Sequence, residues 1–337
     1  MALSNAIVPV LPAYSDQPAW TGAIYAAYFL GAFISTLPAG VLSDRFGRIL
    51  LMRTGLAMTV ASGAVLIHPG SEVIACAARL AEGIGAGLFI VPAMAAVNSE
   101  PEHGKLSGYF MALLNAGLVI GLIAAGLLAA GLDMPGAGLL LFTALALVPM
   151  VASLATREAR ASPAGHDSAA LRALIARYRW ILYSAVVLIG ITGVAISLYP
   201  AFSGAPADVA GLWIAAMSIA TIVAVLVVSR FPFNAVRAIR VSSVLMAAGA
   251  ILMFFTPAGF LLLGVTAGAV MIAQMEILSR VRGHQGIAMG LFTTSSYLGM
   301  GLLPLLAGFV AEGAGFFPAF VVAALLALTV TLTAARD

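Results

Sequence analysis

The chain has 337 residues, 62% of them hydrophobic and 9% charged, with a formal net charge of +3. Soluble domains carry about 25% charged residues, so this composition cannot clothe a water-facing surface and excludes an ordinary soluble domain. Apolar runs near the roughly 20 residues that a helix needs to cross a bilayer recur along the whole length. They predict an all-α polytopic membrane protein.

Run one, at about 1–14, carries Asn5 and falls short of the roughly 17–25 residues a spanning helix takes. Run two, 19–42, carries Tyr25 and Tyr28. Between it and run three, 49–67, lies Gly40-Val-Leu-Ser-Asp44-Arg45-Phe-Gly47-Arg48, the densest mixture of charge and glycine between membrane-length segments. With two close-approach positions in so short a gap, it reads as a moving joint rather than a reaction centre. The plainer alternative is that Arg45 and Arg48 only anchor a loop at the membrane surface.

Run four, 72–95, holds Arg79 and Glu82, the only opposite charges well inside an apolar run. Three residues apart, they share a helix face and can pair. At 1.5 Å per residue Arg79 lies roughly 10 Å below the outer end of the run. Burying either charge alone in lipid is costly, so a cavity-facing functional pair is the default expectation, with a neutralised structural pair as its rival. Gly83, Gly85 and Gly87 follow, and with no strand before them they read as helix-packing positions rather than a nucleotide loop.

Run five, 106–131, carries Asn115 and three further packing glycines, Gly117, Gly121 and Gly126, before run six at 136–156. The stretch 157–178 then gathers several arginines with Ser162-Pro163-Ala164-Gly165, a polar linker. It divides the chain into six-helix halves over 1–156 and 179–337. The second half holds runs at 179–201, 209–229, 236–256, 258–279, 286–311 and 314–334, with Gln274 and Glu276 in run ten and Tyr297 in run eleven. Asn5, Tyr25, Tyr28, Asn115, Gln274 and Tyr297 are polar groups that either touch a substrate or bond a neighbouring helix. Glu276, four residues before Arg280, reads as an interfacial pair.

Apart from Arg79, the basic residues cluster at alternate gaps, while the intervening gaps carry Asp16, Glu72, Asp133, Asp208 and Glu312. This positive-inside pattern predicts both termini in the cytoplasm and assigns the basicity to topology, with no nucleic-acid partner. Cys76 is alone, and His68, His103, His166 and His284 have no metal-site spacing. No nucleophile–base pair appears, so neither an enzyme, a metal nor a cofactor is expected. No basic region precedes the first apolar stretch, so a cleaved signal peptide is not expected.

The halves repeat each other. Leu11–Ala19 (LPAYSDQPA) matches Tyr199–Ala207 (YPAFSGAPA), 188 positions on. Gly104, Gly108, Phe110, Gly117, Ala125 and Gly126 match Gly286, Gly290, Phe292, Gly299, Ala307 and Gly308, 182 positions on. Parallel repeats of this kind are typical of transporters, whose binding sites lie near mid-membrane between repeats. The first offset maps the start of run seven to a point before Met1, so the first helix is expected to lack its cytoplasmic half.

Gly40-x-x-x-Asp44-Arg45-x-Gly47-Arg48 resembles the signature between helices two and three of the major facilitator superfamily, and the twelve runs, duplicated halves and basic linker agree with it. The resemblance implies two pseudo-symmetric six-helix bundles that rock about a central cavity. It implies that Asp44 reaches the start of helix eleven, near Gly286, and latches the outward-open state; the second half has Ser229-Arg230-Phe231-Pro232 at the equivalent gap. Arg79-Leu-Ala-Glu82-Gly83-Ile-Gly85 resembles the family's fourth-helix motif, whose arginine is linked to proton coupling. Gly117, Gly121 and Gly126 resemble the fifth-helix motif of drug–proton antiporters, although Leu122 stands where that motif has proline. Pro304 occupies the duplicated position.

The expected function is secondary active transport of a small solute by alternating access, with proton-coupled efflux leading. Arg79 and Glu82 serve coupling, and Asn5 and Gln274, on helices one and ten, rank first for the cavity. A facilitator or symporter is the alternative, favoured by Leu122 and by the absence of an acid in run one. A sensor or scaffold is more remote. The expected setting is the plasma membrane, the partners a solute, protons and the bilayer, and the expected state a monomer.

Overall fold

The computed structural model describes residues 1–98, 100, 102–156, 168–281 and 285–333. The side chains of Asp44, Asn98, His103, Gly104, Lys105, Ser107, Gly108, Ser168 to Ala170, Gln285 and Gly286 lie outside that description. So does the Ser162–Gly165 part of the expected linker.

Every described element is helical. A short helix α1 (Ala2–Ala6) leads into a 3-10 helix over Val8–Ala13, followed by α2 (Pro18–Phe46), α3 (Arg48–Leu66), α4 (Glu72–Asn98), α5 (His103–Leu132) and α6 (Ala137–Ala155). Then come α7 (Ser168–Ser203), α8 (Ala207–Val228), α9 (Ala235–Phe255), α10 (Gly259–Ser279), α11 (Gln285–Ala314) and α12 (Phe316–Thr333). The helices α2 to α12 are the eleven long and apolar enough to cross a membrane.

The differences from the predicted runs have local causes. Run one is not a single α-helix, because Pro9 and Pro12 lack the N–H that an α-ladder needs, and the chain tightens into a 3-10 turn there. The 157–178 linker is helical from Ser168 onward. Leu171 and Leu174 recur at helical spacing between the arginines, and the helix bends at Tyr178, whose φ of −105° and ψ of 19° leave the helical region. The Gly40–Arg48 segment is likewise mostly helix: α2 runs to Phe46, and Gly47 alone, at φ 95°, separates it from α3.

The distribution of polarity is that of a protein solvated by lipid. Val148, Val151 and Leu154 on α6 are 67%, 64% and 65% exposed, whereas Arg79 and Glu82 are each 1% exposed.

Two compact units emerge. One comprises residues 1–15, 27–166 and 205–211; the other comprises 16–26, 167–204 and 212–337. Each unit joins a helix start from one repeat to the duplicated helix of the other. In the first unit, Gly126 of α5 lies against the start of α8, where an added Cβ would come 2.5 Å from the Ala207 carbonyl oxygen. In the second, Gly308 of α11 lies against the start of α2, 2.7 Å from the Pro18 oxygen by the same measure. The two repeats detected in the sequence therefore pack on each other. Glu312, one turn beyond Gly308, accepts a hydrogen bond from the Ala19 N–H at 3.2 Å and so caps α2.

Candidate functional site: the buried charges of the first unit

Glycine brings α2, α3 and α4 close enough to seal charge between them. A Cβ on Gly83 would stand 1.8 Å from the Tyr28 carbonyl oxygen, on Gly31 2.2 Å from that of Leu80, and on Gly85 2.7 Å from that of Gly55 on α3. Gly83 and Gly87, four apart, face α2, and Gly85 faces α3, which is the packing role their spacing predicted. Ser62 on α3 adds a buried hydrogen bond to the Ala78 carbonyl at 2.7 Å.

In that sealed region the Arg79 Nη1 donates to Glu82 Oε2 at 2.6 Å. The ring of Tyr28 lies under the guanidinium, with Cζ 4.6 Å from its centroid, a desolvated geometry in which cation–π attraction is strongest. Arg79 Nε and Glu82 Oε1 are buried with no hydrogen-bond partner among the described residues. A buried pair with open valences is a weak source of stability, since desolvation offsets most of its Coulomb energy.

Glu82 also lines a cavity of about 430 Å³ inside this unit, together with Tyr28, Thr59, Phe89, Phe142 and Pro149. The lining is mostly apolar with a few polar groups, the composition of a small-molecule site. No three His, Cys, Asp or Glu side chains among the described residues converge as a metal site would require.

The other predicted site residues are dispersed. Asn5 donates to the Leu118 carbonyl at 3.3 Å, bonding α1 to α5, and Asn115 is exposed and turns back to the Met111 carbonyl of its own helix at 2.8 Å. Tyr25 is 1% exposed and belongs to the second unit with α7. There Gln274, fully buried on α10, donates to Ser184 Oγ of α7 at 2.8 Å, while its Oε1 has no hydrogen-bond partner among the described residues. Tyr297 is half-buried on α11.

In the Gly40–Arg48 segment, Arg48 Nη1 donates to the Ala95 carbonyl near the end of α4 at 3.2 Å, and the Arg45 guanidinium lies 5.3 Å from the Phe46 ring centroid. The close approach expected at Gly40 is not made: an added Cβ would meet only Val91 at 4.0 Å. The Asp44 carboxylate lies outside the described side chains. Arg53, read in the sequence as topological charge, gathers the Ser153, Leu154 and Thr156 carbonyls at 2.8 to 3.2 Å and closes the end of α6. Its only signal was its place one turn into run three, beside a basic gap.

The family model of the Major Facilitator Superfamily matches residues 1–281. The chain belongs to this superfamily of membrane transporters, and its substrate is a small solute, not the target of an enzyme. Among characterised relatives, multidrug resistance protein 2 of Bacillus subtilis is 25% identical over 336 residues, covering 90% of this chain and 83% of its own. The quinolone resistance protein NorA of Staphylococcus aureus is 27% identical over 123 residues, 34% of this chain and 31% of its own. The solved nucleoside transporter NupG superposes with a TM-score of 0.80 at 12% identity, covering 99% of this chain and 97% of that one. The human organic anion transporter TETRAN gives 0.63 at 20%, covering 93% and 83%. At these identities the two structures speak for the fold alone.

Proposed function

We propose that this transporter exports a small, largely apolar solute in exchange for protons, and that Glu82 is the group that carries the proton. The observation that carries this reading is Glu82 itself: buried, bonded to Arg79 through one oxygen, and lining an apolar cavity with the other oxygen open. Such a carboxylate has two states. Ionised, it neutralises Arg79; protonated, it leaves Arg79 to the Tyr28 ring and changes the charge at the cavity wall by one unit. A solute and a proton that both act on this wall are thereby coupled. The two relatives named for multidrug and quinolone resistance support an efflux direction.

We further assign gating to Gly40, Asp44, Arg45, Gly47 and Arg48, and place the protein as a monomer in the plasma membrane with both termini cytoplasmic. A facilitator or symporter is the second reading, favoured by Leu122, fully buried in an uninterrupted α5 where drug–proton antiporters carry a proline. Proteoliposomes loaded with a panel of cationic, neutral and anionic solutes separate these. Glu82→Gln is expected to abolish transport driven by a pH gradient while leaving solute counterflow intact. Unchanged pH-driven transport in Glu82→Gln would exclude Glu82 from coupling.

A further inference from the structure

Four arginines of the second unit lie at or beside one connection. Arg230, Arg237 and Arg240 flank the connection from α8 to α9, and Arg280 ends α10 beside it. The one acid in these two segments is Glu276, which takes a single bond from Arg280 Nη2 at 3.3 Å; both side chains are largely exposed, at 48% and 70%. The pair is a weak, solvated one, so Arg280 keeps most of its donors for another acceptor.

Two hollows lie on either side of Pro232 and Phe233. The first, about 510 Å³, is walled by Asn234, Ala235, Val236 and Arg280. Ala235 and Val236 begin α9, so their N–H groups have no carbonyl one turn earlier to bond. The Asn234 side chain is already engaged with the Arg237 N–H at 2.9 Å. Arg237 and Arg240 in the opening turns oppose the positive end of their own helix dipole, a conflict an anion relieves. The second hollow, about 520 Å³, has Phe231, Phe233, Ile272 and Met275 on its wall, with Ser229, Glu276 and Ser279 at its polar edge. Phe231 is 64% exposed. The first hollow thus offers an anion Arg280 and the start of α9, and the second offers a hydrocarbon Phe231, Ile272 and Met275, with Pro232 and Phe233 shared between them.

The corresponding turn of the first unit is closed by its own side chain, since Arg48 bonds the Ala95 carbonyl at the end of α4. At Ser229–Pro232 no such bond is made to α10 among the described residues.

We propose that the paired hollows hold one anionic phospholipid. Its phosphate sits between Arg280 and the first turn of α9, and its proximal acyl carbons lie on Phe231, Ile272 and Met275. Basic pockets between spanning helices take anionic headgroups in this way, and an amphipathic anion matches the arginine of the first hollow and the apolar wall of the second. The transport reading is not needed for this site.

The test is native mass spectrometry of the full chain in mild detergent with equimolar dioleoyl phosphatidylglycerol and phosphatidylcholine. The wild type is expected to retain phosphatidylglycerol preferentially. Arg280→Gln is expected to lower that retention about fivefold, the effect of one arginine at a lipid surface. Glu276→Gln, which removes the competing carboxylate, is expected to raise it, and retention of phosphatidylcholine is expected to stay the same in all three. Equal retention of the two lipids, or no change in Arg280→Gln, would overturn the proposal. Displacement of the phosphatidylglycerol by excess inorganic phosphate would also overturn it, showing a site for free anions instead.

Discussion

Arg79 is held from two sides, by the Glu82 carboxylate at 2.6 Å and the Tyr28 ring at 4.6 Å. Removing one partner of a buried pair leaves the other uncompensated and costs about 3–5 kcal/mol. Arg79→Leu and Glu82→Ala are therefore each expected to lower the melting temperature sharply, whereas the double variant recovers most of the loss, because contacting residues do not act additively. A double variant whose loss equals the sum of the two single losses would show that the pair is not coupled. The pair itself was legible in the sequence as opposite charges three apart in an apolar run. Tyr28 over the guanidinium was not, since that contact depends on how closely two helices approach. Arg48 was legible as part of the hinge motif and Arg53 only as charge; their bonds to the ends of α4 and α6 depend on helix ends meeting across long sequence separations.

Glycine sets how near the helices come, but only some glycines do so. Gly83 and Gly31 abut backbone oxygens of the partner helix, while Gly40 meets only the Val91 side chain, at 4.0 Å. Overpacking a tight contact costs typically about 1–3 kcal/mol. Gly83→Ala is expected to destabilise the purified protein by that order, measured by thermal denaturation, and Gly40→Ala to leave it unchanged. A stable Gly83→Ala would mean that α2 and α4 can separate freely. Gly126 and Gly308 extend the point: these duplicated glycines meet the duplicated starts of α8 and α2. The repeats were visible as matching letters, but their mutual contact was not, because an offset reveals which segments correspond and not which ones touch. Element boundaries were the most legible feature, since apolar length sets them. The helical start of α7 was obscured by its arginines, which read as linker although Leu171 and Leu174 keep helical spacing.

For the whole molecule, the charge pattern predicts sidedness. In a Cys76→Ala background, a cysteine at Arg230 is expected to react with a membrane-impermeant maleimide only after the cells are opened, and one at Glu312 in intact cells. The reverse labelling would invert the topology. Family membership establishes transport of a small solute, and Glu82 is the proposed link between that solute and the proton. Pyranine trapped inside proteoliposomes tests that link most directly, by reporting proton movement when a transported solute is added. The wild type is expected to show a solute-evoked proton flux and Glu82→Gln none, with equal protein incorporated. A flux of the same size in Glu82→Gln would contradict the account.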